Sequence, residues 1–111
     1  MKLLAIIIND EEHKQDVLEA LLDLDVRGLT IADTESVMHL LAEEAPIFMG
    51  LRQMFSGTKE YNKTIFGVSD REDILKVLDE SLKEVNLDLS APGVGYAFTV
   101  PIDGIVEGPE E

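Results

Sequence analysis

The chain has 111 residues, which is enough for one domain with a buried core. Its 23 acidic residues outnumber its 9 basic residues, and the formal net charge of -14 repels phosphate backbones, so we expect no nucleic-acid partner. The absence of cysteine excludes disulfides and thiolate chemistry. No apolar run is long enough to span a membrane or to form the core of a signal peptide, so we expect one cytoplasmic domain over residues 1–111.

One structural unit, an apolar strand that runs directly into an amphipathic helix, is predicted twice. Each strand is followed by a residue able to cap a helix, with a glutamate three positions later, which is the spacing of a capping box. The two copies comprise residues 3–8 with Asn9 and Glu12, and residues 64–68 with Ser69 and Glu72. This duplication predicts a double βαβ fold, which more often supports ligand binding and assembly than bond breaking.

The remaining elements are predicted around these two units. Gly28 is expected to end the first helix, and residues 29–32 to form the second strand. Residues 36–57 have helical periodicity and are expected to form an insert before the third strand. Residues 95–100 are predicted to be the fourth strand, and residues 107–111 an acidic tail. The predicted fold class is therefore α+β, a ferredoxin-like βαββαβ domain with a helical insert between strands two and three.

The predicted strands are apolar on both faces. Residues 3–8 are apolar at every position and residues 96–98 nearly so, although a sheet with helices on one face exposes its other face to water. The second face must therefore be covered. We expect a homo-oligomer, in which a second copy covers it, while the alternative that residues 36–57 fold over it stays open.

Three segments occur in an order that is typical of a known family. They are KLLAIII at residues 2–8, VRGLTIADT at residues 26–34 and GVGYAFTVPIDGIVEG at residues 93–108. Together they resemble the PII-like signalling proteins, named for the nitrogen regulatory protein P-II, over most of the chain outside residues 36–58. The resemblance implies a homotrimer that binds a small effector, usually an adenine nucleotide, in clefts between subunits. It also implies signalling to a protein target such as a transporter or an enzyme.

The resemblance also implies which residues bind the effector. The positions that match are Thr30, on the second strand, and Gly93 and Gly95 of the glycine-containing turn. Val94 and Tyr96, beside these glycines, complete the predicted ligand-binding site. The chain departs from the family pattern because Tyr96 stands where the family has a phosphate-binding lysine, and Glu107 and Pro109 stand where it has arginines. Candidates to replace those cations are Arg27, Arg52, Lys59 and Lys63. A plain turn into the fourth strand is the alternative interpretation of the two glycines.

An apolar cluster within the predicted insert is a candidate surface for docking a protein target. It comprises Phe48, Met49, Leu51, Met54 and Phe55. Methionine is flexible and polarizable, which suits an adaptable docking surface, although core packing or a trimer contact would explain the cluster equally. We predict no metal site, because the pairs His13 with Asp16 and His39 with Glu43 each lack a third ligand.

The sequence contains no recognisable catalytic constellation, so we do not expect an enzyme. Two other functions stay open beside a PII-like regulatory protein. One is a structural homotrimer whose ligand site has decayed. The other is a metal-handling trimer of the CutA type, which shares the fold.

Overall fold

The structure, a computed structural model, describes residues 1–9, 11–37 and 61–109. Along these residues each of the two α-helices follows one strand and precedes another, and one 3-10 turn, Glu11–His13, precedes the first helix. The elements are β1 (Lys2–Ile8), α1 (Lys14–Asp23), β2 (Arg27–Glu35), β3 (Tyr61–Ser69), α2 (Ile74–Glu84) and β4 (Gly95–Pro101). The predicted insert, from residue 38 onward, and the apolar cluster from Phe48 to Phe55 lie outside the described residues.

The four strands form one antiparallel sheet in the order β2-β3-β1-β4. The strand β1 is an inner strand that pairs with β3 on one side and with β4 on the other. Its residue Ile6 lies opposite Ile65 on β3 and opposite Ala97 on β4. The sheet and its two helices confirm the predicted α+β class. They are compatible with a small ferredoxin-like domain.

The hydrophobic core lies between one face of the sheet and the two helices. Alternate residues of β1 point toward it, as expected for a strand, and the helices contribute residues spaced three and four apart. The most deeply buried members are Leu4, Ile6, Ile8 and Ile65 from the sheet and Val17, Leu21, Ile74, Leu78 and Leu82 from the helices. The apolar stripes predicted for both helices are therefore the core-forming faces.

The predicted capping boxes at the two helix starts are wrong. The N-cap residues are His13 for α1 and Asp73 for α2, and neither makes a side-chain capping hydrogen bond. Ser69 is instead the buried last residue of β3, and its Oγ accepts a hydrogen bond of 3.1 Å from the backbone N–H of Arg71. Short polar side chains bind whichever backbone group lies nearest, and here that group belongs to a turn rather than to the helix.

Gly28 does not end α1, in contrast to the prediction. The helix ends at Asp23, and Asp25 in the following turn has a φ of 60°. Gly28, with a φ of 64°, lies within β2, where the register with β3 shifts between Arg27 and Thr30. A positive φ is the conformation that glycine adopts without strain, so Gly28 marks an irregularity of the strand.

The second face of the sheet, here called the open face, points away from both described helices. The register places on it Leu3, Ala5 and Ile7 of β1, Phe66 and Val68 of β3, and Tyr96, Phe98 and Val100 of β4. Tyr96 is 59% exposed, Phe98 41% and Val100 44%. The described part of the chain thus leaves a row of large apolar side chains in contact with solvent, as the two-sided strand pattern predicts.

Gly95 allows β4 to pair closely with β1, and replacing it tests that pairing. A Cβ at this position would overlap the carbonyl oxygen of Ile7 and lie 3.0 Å from the Cα of Ile8. We expect Gly95→Ala to lower the free energy of unfolding by about 2–4 kcal/mol, measured by urea denaturation. Gly104→Ala is the matched control, because a Cβ there has no atom within 4 Å. Equal losses in the two variants would contradict this account of Gly95.

Candidate functional site

A cavity of about 360 Å³ lies at one end of the open face. Every strand of the sheet contributes to its lining, which includes Ile7, Thr34, Thr64 and Tyr96. Thr64 lies opposite Ile7 on β1, which in turn lies opposite Tyr96 on β4, so these three residues form one row across the sheet. The size is within the range of small-molecule sites in proteins.

The β2 and β3 side of the cavity is polar and internally hydrogen-bonded. The hydroxyl of Thr34 donates to the side-chain oxygen of Asn62 and lies 2.9 Å from Oγ1 of Thr64, from which it can accept a hydrogen bond. All three residues are partly buried. They present neutral donors and acceptors in fixed positions, which is the kind of lining that orients a small ligand.

The β4 side of the cavity is aromatic. The ring of Tyr96 stacks on that of Phe98, with the ring centroids 6.2 Å apart and the planes inclined by 21°. Both side chains belong to the open face and are largely exposed. This pair offers a flat apolar surface beside the hydroxyl and amide groups across the sheet.

The glycine-containing turn before β4 is tied to the end of β1 by Asn9, which also lines the cavity. The backbone N–H of Asn9 donates to the carbonyl oxygen of Val94 at 2.9 Å, and its side-chain Nδ2 donates to that of Gly93 at 3.2 Å. Gly93 has a φ of 77°, which glycine adopts readily. These contacts set the position from which Tyr96 enters the sheet.

The structure brings only part of the predicted site together. Gly93, Val94, Gly95 and Tyr96 lie at or beside the cavity, whereas Thr30 lies further along β2, opposite Phe66, and is not among the residues that line the cavity. The hydroxyl of Thr30 donates to the carbonyl oxygen of Gly28 at 3.2 Å. Within one chain, Thr30 therefore does not contribute to this cavity.

The polar cavity residues Asn9, Thr34, Asn62 and Thr64 were not among the predicted site residues. The signal that could have identified them is the alternation in β3, where Asn62 and Thr64 share a face with the apolar Phe66 and Val68. A change from polar to apolar residues along one face of a strand indicates that the two ends of that face have different neighbours. Recognising Asn9 would have required knowing that β1 and β4 are adjacent.

The other end of the open face carries an ion-paired cluster around Arg27. Its Nη1 lies 2.7 Å from Asp70 Oδ2, and its Nη2 lies 2.9 Å from Glu107 Oε1, while Nε donates to Glu107 Oε2 at 3.3 Å. The hydrogen bonds with Glu107 and then Asp70 raise the pKa of Arg27 above its ordinary value. Glu107, which stands where the resemblance implies an arginine, is thus bound to a cation of its own chain.

The other predicted cations are not part of the cavity as described. Lys63 pairs with Asp33, which lies opposite it on β2, and this hydrogen bond lowers the pKa of the Asp33 carboxyl. Arg52 and Lys59 lie outside the described residues. The described residues also contain no group of three His, Cys, Asp or Glu side chains placed to hold a metal ion.

Comparison with known proteins adds no assignment. The chain matches no protein-family model, and no curated protein matches its sequence. None of the helices in the part of the chain that the structure describes is long and apolar enough to cross a membrane.

The loop before the glycine-containing turn contains Asp88, whose pKa depends on hydrogen bonds from Ser90. Ser90 donates to Asp88 Oδ1 from its hydroxyl at 2.6 Å and from its backbone N–H at 2.9 Å, and these bonds lower the pKa of Asp88. A lowered folded-state pKa stabilises the fold above the unfolded-state value, and that stability is lost as pH falls through the folded value. We expect Ser90→Ala to raise the pKa of Asp88, measured by carbon-13 NMR titration of the carboxyl groups.

The pKa of Asp73 is the internal control for this titration. It is lowered chiefly by the hydrogen bond from Arg71, which Ser90→Ala leaves in place. The interpretation is wrong if both carboxyl groups shift together, or if Asp88 keeps its low pKa without the Ser90 hydroxyl.

Proposed function

We propose that this chain is a PII-like regulatory protein, a cytoplasmic homotrimer of ferredoxin-like domains that binds a small effector between its subunits and signals to a protein partner. The observation that carries the proposal is the cavity at the end of the open face, beside the glycine-containing turn and Tyr96. Its lining combines fixed hydrogen-bonding groups with an aromatic surface, which is the usual composition of a small-molecule site.

The open face supports assembly from several copies. Its exposed side chains Tyr96, Phe98 and Val100 lie along β4, one edge of the sheet, and β2 forms the other edge. When the open face near β4 of one copy packs against the open face near β2 of the next, the contact is heterologous and covers apolar surface, and such contacts close into a ring when the rotation allows it. A ring of this kind would bring Thr30 of one copy toward Tyr96 of its neighbour, completing the predicted site.

The charge around the site bears on the class of effector. The phosphates of an adenine nucleotide carry about three to four negative charges, which proteins usually neutralise with Lys, Arg or a metal ion. Among the residues described here, Glu35 lines the cavity, and Arg27 at the far end of the face already binds two carboxylates. We therefore propose that any adenine nucleotide binds chiefly through its base and sugar.

The second candidate is a structural homotrimer that binds no effector. The engagement of Arg27 by Asp70 and Glu107 favours it, because this candidate cation is already bound to carboxylates of its own chain. Both candidates share the same assembly, and they differ in whether an effector binds and is signalled to a partner.

The assembly predicts the mass in solution. Light scattering should give three times the chain mass of 12.3 kDa. Phe98→Glu should yield monomers, because a charge in the middle of a buried apolar face is strongly unfavourable. Leu75→Glu is the matched control: Leu75 on α2 is 39% exposed, close to the 41% of Phe98, but lies away from the open face. A monomeric wild-type chain would rule out both candidates.

Effector binding predicts a thermal shift. ATP, ADP, AMP, cyclic AMP and adenosine should be screened, and a ligand at about 100 times its dissociation constant should stabilise the native state by about 2.7 kcal/mol. Tyr96→Ala should abolish the shift, whereas Val100→Ala, in the same strand but away from the cavity, should retain it. A stable trimer that none of these compounds stabilises would favour the structural candidate.

A further inference from the structure

Residues 102–109, here called the C-terminal segment, follow β4 and contain no helix or strand. The backbone N–H of Ile102 donates to the carbonyl oxygen of Met1 at 3.1 Å, beside the start of β1. Glu107 then reaches Arg27 at the start of β2. The segment leaves β4 at one edge of the sheet and reaches β2 at the other, so it crosses the end of the sheet.

The contact between Glu107 and Arg27 has the geometry of ligand recognition. Two guanidinium nitrogens, Nη2 and Nε, donate to the two oxygens of one carboxylate at 2.9 and 3.3 Å. The planar fork of arginine matches carboxylate and phosphate oxygens in this way. The Arg27 side chain is 23% exposed and that of Glu107 41%, so solvent and solutes reach the pair. A cavity of about 630 Å³ adjoins it, lined in part by Val26, Leu29 and Pro109.

The carboxylate of Glu107 is held by a stretch of chain that buries little. Ile105 is 43% exposed and Val106 is fully exposed, so the apolar side chains next to Glu107 do not anchor it. Ion pairs in contact with solvent contribute little net stability, because hydration of the separated charges compensates for most of their attraction. Breaking the ion pair between Glu107 and Arg27 therefore lowers the free energy of unfolding only slightly.

We propose that Arg27 is an oxyanion-binding site that Glu107 fills from within the chain, and that a carboxylate or phosphate ligand binds there by displacing Glu107. Asp70 stays paired with Arg27 at 2.7 Å, so the ligand replaces only one of the two carboxylates that the guanidinium binds. Glu107 acts as a tethered competitor, which raises the apparent dissociation constant of any oxyanion that binds Arg27. Their binding frees the C-terminal segment. This inference does not depend on the proposed effector site.

The test is an NMR titration of the full-length protein with sodium phosphate and, separately, sodium acetate, each against sodium chloride of equal ionic strength. The two anions distinguish a phosphate source from a carboxylate source. We expect a saturable shift of the Arg27 Nε–H signal and faster amide exchange in residues 104–108 with at least one of them. Glu107→Gln should bind the same anion about two- to fivefold more tightly, because it removes the competing charge.

Two arginine variants make the assignment specific. Arg27→Gln should lose anion binding, whereas Arg71→Gln, which removes an exposed arginine paired with Asp73 at 3.0 Å, should keep it. The proposal is overturned if chloride reproduces the effect, if binding survives Arg27→Gln, or if Glu107→Gln leaves the affinity unchanged. Should Arg27→Gln fail to fold, the affinity of Glu107→Gln decides, because Glu107 lies outside every helix and strand described.

Discussion

The strand β1 is apolar on both of its faces, and the rest of the structure is arranged around that constraint. One face, with Leu4, Ile6 and Ile8, is buried completely by the two helices. The other face continues the apolar surface through Phe98 and Val100 to the edge of the sheet. Full burial of a large apolar side chain contributes about 1.5–3 kcal/mol, and a domain of this size has a net stability of roughly 5–15 kcal/mol. The free energy gained by covering the open face is therefore comparable to the net stability of the whole domain.

Much of the fold could be predicted because it depends on local periodicity. The stripe Ile74, Leu78 and Leu82 identifies the buried face of α2 from spacing alone, and the unbroken apolar run of β1 indicates a strand with two apolar faces. The capping-box predictions also depend on local spacing, but they were wrong. Ser69 accepts a hydrogen bond from the N–H of Arg71 in a turn, and the N-cap residue of α2 is Asp73. Spacing shows which residues can cap a helix, but not which backbone group lies nearest.

The candidate sites depend on contacts that no local pattern contains. Asn9 holds a turn 84 positions away, and Arg27 binds a carboxylate 80 positions away. The cluster of Thr34, Asn62 and Thr64 forms only because β2 pairs with β3 across the residues between them. The family resemblance located the turn and Tyr96, but not the polar residues that face them. Identifying those residues required the strand order, which places β1 between β3 and β4.

The open face is apolar at its centre and polar at its two ends, and this pattern restricts the position of any surface that covers it. The centre around Ala5, Phe66 and Phe98 is apolar, one end carries the hydroxyl and amide groups around Thr34, and the other carries Arg27 with its carboxylates. A covering surface shifted by one row would place apolar atoms over these polar groups, at a cost of about 1–3 kcal/mol for each group left without a partner. The apolar centre thus provides the affinity for a covering surface, and the polar ends determine its register.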